Sequence, residues 1–336
     1  MAKALIVGAG GMGRAWGKNL AECDDTEIVA WVDIREQAAA EAADGLELSG
    51  VRTGDDLGKA IAETKPDFVV DVTIPEAHCE VTLLALNAGI PVIGEKPMAT
   101  SMEEARRMVK ASEETGKLYM VSQSRRYNMK LKAYRSLIAQ NLGALGILNS
   151  DFYIGAHFGG FRDRMPSPLI LDMAIHTLDA ARYLSADDAV SVYCEEFNPE
   201  WSWYDGNASA TAIFEMRSGL RYTYRGSWCS EGRHTSWEGD WRAIGVNGTA
   251  LWDGDTVPEV DIVIESGGFH SKCETQIADV PEGHEGIAGS LRDFLNALKT
   301  GATPMGECHD NIKSLAMVFA AIESAQAGER VPVPTG

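Results

Sequence analysis

Residues 4–13 read Ala-Leu-Ile-Val-Gly-Ala-Gly-Gly-Met-Gly, a short apolar run that meets a glycine-rich turn and then a helical segment. Gly8, Gly10 and Gly13 carry G-x-G-x-x-G spacing. Each glycine in that pattern answers a steric demand. The first allows the tight turn, the second removes a Cβ where a pyrophosphate must approach, and the third lets the helix lie close on the strand. The helix expected over 11–21 would aim its first-turn N–H groups, those of Gly11 and Met12 among them, at the phosphates together with its positive dipole end.

The surrounding order strengthens this reading. A second apolar run, Glu-Ile-Val-Ala-Trp-Val at 27–32, ends at Asp33, 20 residues beyond Gly13. A carboxylate there accepts hydrogen bonds from the adenosine ribose and repels a 2′-phosphate, which favours NAD over NADP. Arg35 introduces the alternative, since it is placed to stack on adenine or to pair with a phosphate. The competing structural role for Asp33 is that of a helix cap.

The chain has 336 residues, enough for two domains of ordinary size. Its net charge of −19 argues against nucleic acid or an anionic membrane as partner. The six cysteines form no C-x-x-C pair, and no spaced histidine cluster accompanies them, so no metal site is expected. No apolar stretch reaches the roughly 18 residues needed to span a bilayer. The first apolar run is the glycine-loop strand itself, with no leader pattern before it, and the expected compartment is the cytoplasm.

Up to about residue 124, short apolar strands (4–7, 27–32, 68–72, 91–93, 118–122) alternate with helical segments (11–21, 36–43, 55–63, 77–88, 101–115). That order predicts a doubly wound parallel sheet. Ser101, with Glu104 three residues on, has the form of a capping box. Beyond 124 the pattern changes. A helix near 129–141, a strand at 147–153 and a helix over 169–184 precede period-2 runs at 189–197, 208–215, 220–228, 241–252 and 259–264, and two helices, 286–298 and 310–327, close the chain. The fold class is therefore α/β: an N-terminal Rossmann domain over 1–124, plus a C-terminal α+β domain over 125–336 with a mainly antiparallel open sheet.

Three constellations carry chemistry. Thr73-Ile-Pro75-Glu-Ala-His78 follows the strand at 68–72, at the carboxyl edge where α/β sheets bind ligands. Pro75 fixes the turn there, and His78 is either a cofactor contact or a structural residue at the start of the next helix. Glu95-Lys96-Pro97 follows the strand at 91–93. A lysine at that edge is positioned to hydrogen-bond a substrate hydroxyl and to assist removal of its proton as hydride leaves, the alternative being a surface Glu–Lys pair. Pro97 stiffens the turn and is a candidate for the cis form. Asp172 and His176 stand four apart on an expected helix, so both share one face. A carboxylate one turn from an imidazole can orient it as a general acid/base. Asp179 either shares that face or caps a turn.

Together, Gly8-x-Gly10-x-x-Gly13, the Pro75…His78 turn, Glu95-Lys96-Pro97, Asp172-x-x-x-His176 and the domain order resemble the Gfo/Idh/MocA oxidoreductases over nearly the whole chain. The resemblance implies that Lys96, Asp172 and His176 form the catalytic group, with His176 or Lys96 as the acid/base. It also implies sugar, polyol or related substrates, NAD or NADP as cofactor, and a homodimer or homotetramer paired through the open face of the second sheet. One departure stands out. Many members carry a glycine-rich run before the Asp-x-x-x-His helix, where this chain has Pro166-Ser-Pro168-Leu-Ile.

Arg126 and Tyr127, which follow the last strand of the parallel sheet, are either cofactor or substrate contacts or structural residues. Substrate contacts are expected from His157, Phe158, Arg162 and Arg164, in the loop before the Asp172 helix; an arginine there suits a carboxylate, the alternative being a surface charge. The tryptophans at 201, 203, 228, 237, 241 and 252 suit sugar faces or, alternatively, the core of the second sheet. The expected activity is hydride transfer between a nicotinamide cofactor and a carbinol or carbonyl carbon. The alternatives are a redox-neutral glycosidase using bound NAD and a non-catalytic NAD(H) sensor.

Overall fold

The computed structural model describes residues 1–335. They divide into two compact units, Met1–Ser124 with Gly286–Ile312, and Arg125–Glu285 with Lys313–Thr335.

In the first unit the chain runs β1 (Ala2–Val7), α1 (Gly11–Ala21), β2 (Thr26–Val32), α2 (Glu36–Gly45), β3 (Arg52–Gly54), α3 (Leu57–Thr64), β4 (Phe68–Asp71), α4 (Pro75–Asn87), β5 (Val92–Gly94), α5 (Met102–Thr115) and β6 (Tyr119–Val121). The strands pair in parallel in the order β3-β2-β1-β4-β5-β6. Strand order reverses between β1 and β4, and ligands of such sheets bind outside the carboxyl ends at that point. Leu5, Ile6, Phe68, Val69, Val92 and Ile93 are wholly buried, as strands covered on both faces require. β3 escaped the sequence pattern because its three residues hold no apolar run. At α5 the capping box is half formed. Ser101 Oγ accepts the Glu104 N–H at 3.2 Å, but Glu104 Oε2 reaches Thr100, not the Ser101 N–H.

The second unit continues through α6 (Met129–Asn141), β7 (Leu145–Tyr153), α7 (Ile175–Ser185), β8 (Ala189–Phe197), β9 (Ser209–Met216), β10 (Arg221–Ser227), β11 (Asp240–Gly245), β12 (Gly248–Trp252), β13 (Glu259–Glu265) and β14 (Lys272–Ile277). Then come α8 (Gly286–Thr300), α9 (Cys308–Ala327) and β15 (Val331–Pro332). The second sheet has the order β14-β13-β12-β11-β7-β10-β9-β8-β15. All its neighbours are antiparallel except β7 and β10, which pair in parallel. Along β10 the buried Tyr222 and Tyr224 alternate with the exposed Arg221 and Arg225, so one face of the sheet is packed and the other is open. The run expected over 241–252 is a hairpin, turned at Val246 and Asn247. β14 carried no signal because all six of its residues are exposed and do not alternate.

α8 belongs with the first unit, whereas the sequence reading placed it in the second domain. Its Phe294 packs on Phe68 of β4 with ring centroids 5.4 Å apart. The helix expected over 169–184 is also of two kinds. Leu169–Ala174 forms a π-helical turn that passes into α7. A π turn is wider than an α turn and recurs at functional sites.

Candidate functional site

The glycine loop of the first unit is built as its spacing demands. Gly8 has φ +107°, and a Cβ on it would sit 2.6 Å from the Val72 carbonyl oxygen. A Cβ on Gly13 would sit 2.2 Å from the Gly8 carbonyl oxygen. By contrast, a Cβ on Gly10 or Gly11 would meet nothing within 4 Å. Two glycines are thus required by the fold, and two leave open space over the N-terminus of α1. That terminus has no side-chain cap and no acid in its first turn. Its N–H donors and dipole suit phosphate oxygens.

Asp33 is more than a ribose acceptor. Its Oδ2 accepts the Ala9 N–H at 2.7 Å and its Oδ1 accepts the Arg35 N–H at 2.9 Å, so the end of β2 braces the glycine loop. The Arg35 guanidinium lies 3.5 Å from the same carboxylate and is largely exposed.

A buried polar network lies at the carboxyl ends of β4 and β5. Asp71, wholly buried, accepts from the Thr73 hydroxyl at 2.7 Å and from Thr82 at 3.2 Å, and lies 3.1 Å from His78 Nδ1. Burial pulls the His78 imidazole toward neutrality, but Asp71, with Glu95 and Glu76, outweighs it, and the net shift is upward. His78 is the fourth residue of α4, which Pro75 opens at its first position. Its Nε2 is buried without a hydrogen-bond partner, as are Ser122 Oγ and the Gln123 amide just after β6. Buried orphan atoms of this kind call for a ligand or water. Together with the open Gly10–Gly11 face, they fit a bound dinucleotide.

Glu95 Oε1 accepts the Trp16 indole N–H at 2.7 Å, which ties α1 to the turn bearing Lys96. Burial raises the Glu95 carboxyl, against the opposing pull of Trp16, Lys96 and His78. The Lys96–Pro97 peptide bond is cis. The sequence reading missed Trp16 and Asp71. Trp16 reads as an apolar helix residue, and Asp71 reads as the last residue of an apolar strand.

In the second unit, Asp172 lies in the π turn and His176 in the first turn of α7. Asp172 Oδ2 bonds Arg162 Nε at 2.5 Å. The Arg162 guanidinium also lies 5.1 Å from the Phe158 ring centre and 4.7 Å from that of Phe161. This arginine, expected as a substrate contact, therefore braces the Asp172 carboxylate. His157 stacks on Trp203 at 3.7 Å and pairs with Glu231 at 2.6 Å. Arg164 stands with Arg162 in a single 3-10 turn. Trp228, Trp241 and Trp252 are buried, whereas Trp201 and Trp237 are exposed.

Arg126 and Tyr127 are both drawn into the packing of the second unit. Arg126 is buried and donates through Nε and Nη2 to both oxygens of Asp179 at 2.7 Å, where Ser314 Oγ also donates. Tyr127 is 2% exposed, under the Lys132 ammonium. Asp179 is thus the acceptor of a buried ion pair.

The family model for the oxidoreductase family with an NAD-binding Rossmann fold matches residues 2–123, and that for the GFO/IDH/MocA C-terminal domain matches residues 102–251. The chain belongs to the Gfo/Idh/MocA oxidoreductase family. It is 24% identical to the 1,5-anhydro-D-fructose reductase of Ensifer adhaerens, over 98% of each chain. It is 24% identical to the inositol 2-dehydrogenase of Rubrobacter xylanophilus, over 98% of this chain and 92% of that one. An oxidoreductase from Agrobacterium radiobacter, solved with NAD+, L-tartaric acid and magnesium, shares the fold. Its TM-score is 0.87 at 21% identity, over 99% of this chain and 98% of that one. Membership makes the first unit an NAD-binding Rossmann domain. No helix among the described residues is long and apolar enough to cross a membrane.

Proposed function

We propose that this family member is an NAD(H)-dependent dehydrogenase of sugars, polyols or their derivatives. The observation that carries the reading is the Trp16–Glu95 bond. It fixes the helix that holds the cofactor's phosphates to the turn that presents Lys96, so cofactor position and acid/base position are set by one rigid element. The two family relatives bear names of enzymes that act on a sugar derivative and on inositol, which supports the substrate class.

Gly11, Met12 and Gly13 offer first-turn N–H groups to the pyrophosphate, and Asp33 offers its carboxylate to the adenosine ribose while bracing Ala9. Thr73, His78 and Glu95 line the carboxyl edge toward the nicotinamide end. When bound, the cofactor exchanges a hydride with the substrate carbon. His176 takes the hydroxyl proton in the oxidative direction and returns it in the other. Lys96 donates to the same oxygen and steadies its developing negative charge. Asp172, anchored by Arg162, stands four residues before His176 and is assigned the role of orienting it. His157, Arg164 and Trp203 present a rim of donors and flat apolar rings that suits a polyhydroxylated ligand.

The test is cofactor absorbance with NAD or NADP against sugars, inositols and sugar acids, in both directions. Reduction of NAD by one compound class is expected, and Lys96→Ala should lower kcat by about 10²–10⁴-fold with little change in NAD affinity. Near wild-type turnover in that variant would remove Lys96 from the reaction. Silence across the panel with NAD binding intact would turn the reading toward redox-neutral chemistry or sensing.

A further inference from the structure

Glu307, just before α9, and Cys308 and His309, its first two residues, bring three kinds of donor to one point in the first unit. Cys308 Sγ lies 3.0 Å from Glu307 Oε1 and 3.5 Å from His309 Nδ1, and Nδ1 lies 2.7 Å from the same Oε1. These separations approach the edges of a tetrahedral metal site. Bond lengths of about 2.0–2.3 Å to oxygen, nitrogen and sulfur give donor–donor edges of roughly 3.3–3.6 Å. The sulfur–nitrogen edge already matches. The two edges to Glu307 need that one carboxylate oxygen to withdraw by roughly half an ångström.

The surroundings prepare the donors. His309 Nε2 lies 3.0 Å from Glu113 Oε1 near the end of α5, so a carboxylate holds the ring by the nitrogen remote from the cluster. Metal-binding histidines are oriented in this way. Glu307 uses its other oxygen, Oε2, to accept the His309 N–H at 3.0 Å, which leaves Oε1 to the cluster. Gly306 (φ +86°) brings the chain against β6, where a Cβ would stand 2.4 Å from the Val121 carbonyl oxygen. Burial and the neighbouring Glu307 carboxylate push the Cys308 thiol up, so an ion must displace its proton. The thiol is buried, while the His309 and Glu113 side chains are half exposed, which gives an ion an entry path.

We propose that Glu307, Cys308 and His309 bind a divalent ion of the zinc class, with Glu113 positioning the histidine and water completing the shell. Sulfur, imidazole and carboxylate together select zinc or cadmium over magnesium or calcium. Coordination displaces the protons of the thiol and of Nδ1 to solvent. The bound ion would fix the first turn of α9 and, through the His309–Glu113 bond, its link to α5, so its effect is structural and separate from the dehydrogenase reading. The sequence reading expected no metal because it sought spaced cysteine or histidine pairs, and three adjacent ligands have no such signature.

The test uses the full chain. Zinc is titrated in competition with a chromophoric chelator, and cadmium is followed by its thiolate charge-transfer absorption. One equivalent of each is expected, with a rise in Tm on zinc addition. Cys308→Ser should abolish the cadmium band, His309→Gln should weaken zinc binding at least tenfold, and Glu113→Gln should weaken it by about 10–100-fold. Cys273→Ser, which alters an exposed thiol elsewhere, should change nothing. Absence of a one-equivalent site, or wild-type affinity in both His309→Gln and Glu113→Gln, overturns the proposal. Those two substitutions alter half-exposed side chains, so they decide the matter even if Cys308→Ser fails to fold.

Discussion

Two glycines of the same loop should respond in opposite senses to one added methyl group. At Gly13 the new Cβ would sit 2.2 Å from the Gly8 carbonyl oxygen and 2.9 Å from its carbon. Both obstacles are backbone, held by β1 and by the bond from Trp31 Nε1 to the same carbonyl oxygen at 2.9 Å. No side chain can swing away, so α1 itself must lift. Overpacking of this kind costs roughly 1–3 kcal/mol. Replacing a helical glycine by alanine returns about 0.5–1 kcal/mol. Immobile backbone puts this contact in the upper part of that range, about 2–3 kcal/mol, so the net loss for Gly13→Ala is about 1–2.5 kcal/mol. At Gly11 the Cβ meets nothing within 4 Å, so only the gain of about 0.5–1 kcal/mol remains. Calorimetry of the cofactor-free protein should show the transition of the first unit falling by about 2–8 °C in Gly13→Ala. It should rise slightly in Gly11→Ala. NAD titration, read by tryptophan fluorescence, should show weakened binding in Gly13→Ala, because lifting α1 moves its N–H donors. Wild-type stability in Gly13→Ala would refute the claim that this helix packs on its strand only in the absence of a Cβ.

Trp16→Phe removes the indole donor to the half-buried Glu95 and should cost about 1–3 kcal/mol; equal denaturation midpoints for variant and wild type would show that bond to be idle. His78 has a raised folded pKa, so its contribution is complete below the ordinary histidine value near 6.5 and is lost as pH rises through the folded value. Denaturation followed across pH 6–9 should thus show a decline in stability that His78→Asn flattens, and an unchanged slope would count against the Asp71–His78 pair as its source. Arg126→Ala leaves Asp179 buried with its ion-pair partner gone and should destabilise the second unit by about 3–5 kcal/mol. If Arg126 instead contacted substrate, KM would rise at unchanged stability.

What could be read from the residues, and what could not, follows from the range over which each signal acts. Glycine spacing is a local steric code, so Gly8 and Gly13 were legible, and the backbone atoms they would strike explain why. Strands buried on both faces announce themselves as apolar runs, and the parallel order around β1 and β4 follows from their alternation with helices. The three residues of β3 and the fully exposed β14 have no such pattern; they exist because a neighbouring strand edge pairs with them. Side-chain partners are the least legible of all. Nothing near Arg126 in sequence says that Asp179, 53 residues later, will take its guanidinium, or that Asp172 will be held by Arg162. An arginine in a loop reads as free charge until its carboxylate is found. In an acidic chain of net charge −19, carboxylates to pair with are plentiful. Arg126, Arg162 and Arg182 therefore brace the frame, and among the described residues the groups open to a ligand include the uncapped amides of α1, the orphan nitrogen of His78 and the unpaired amide of Gln123.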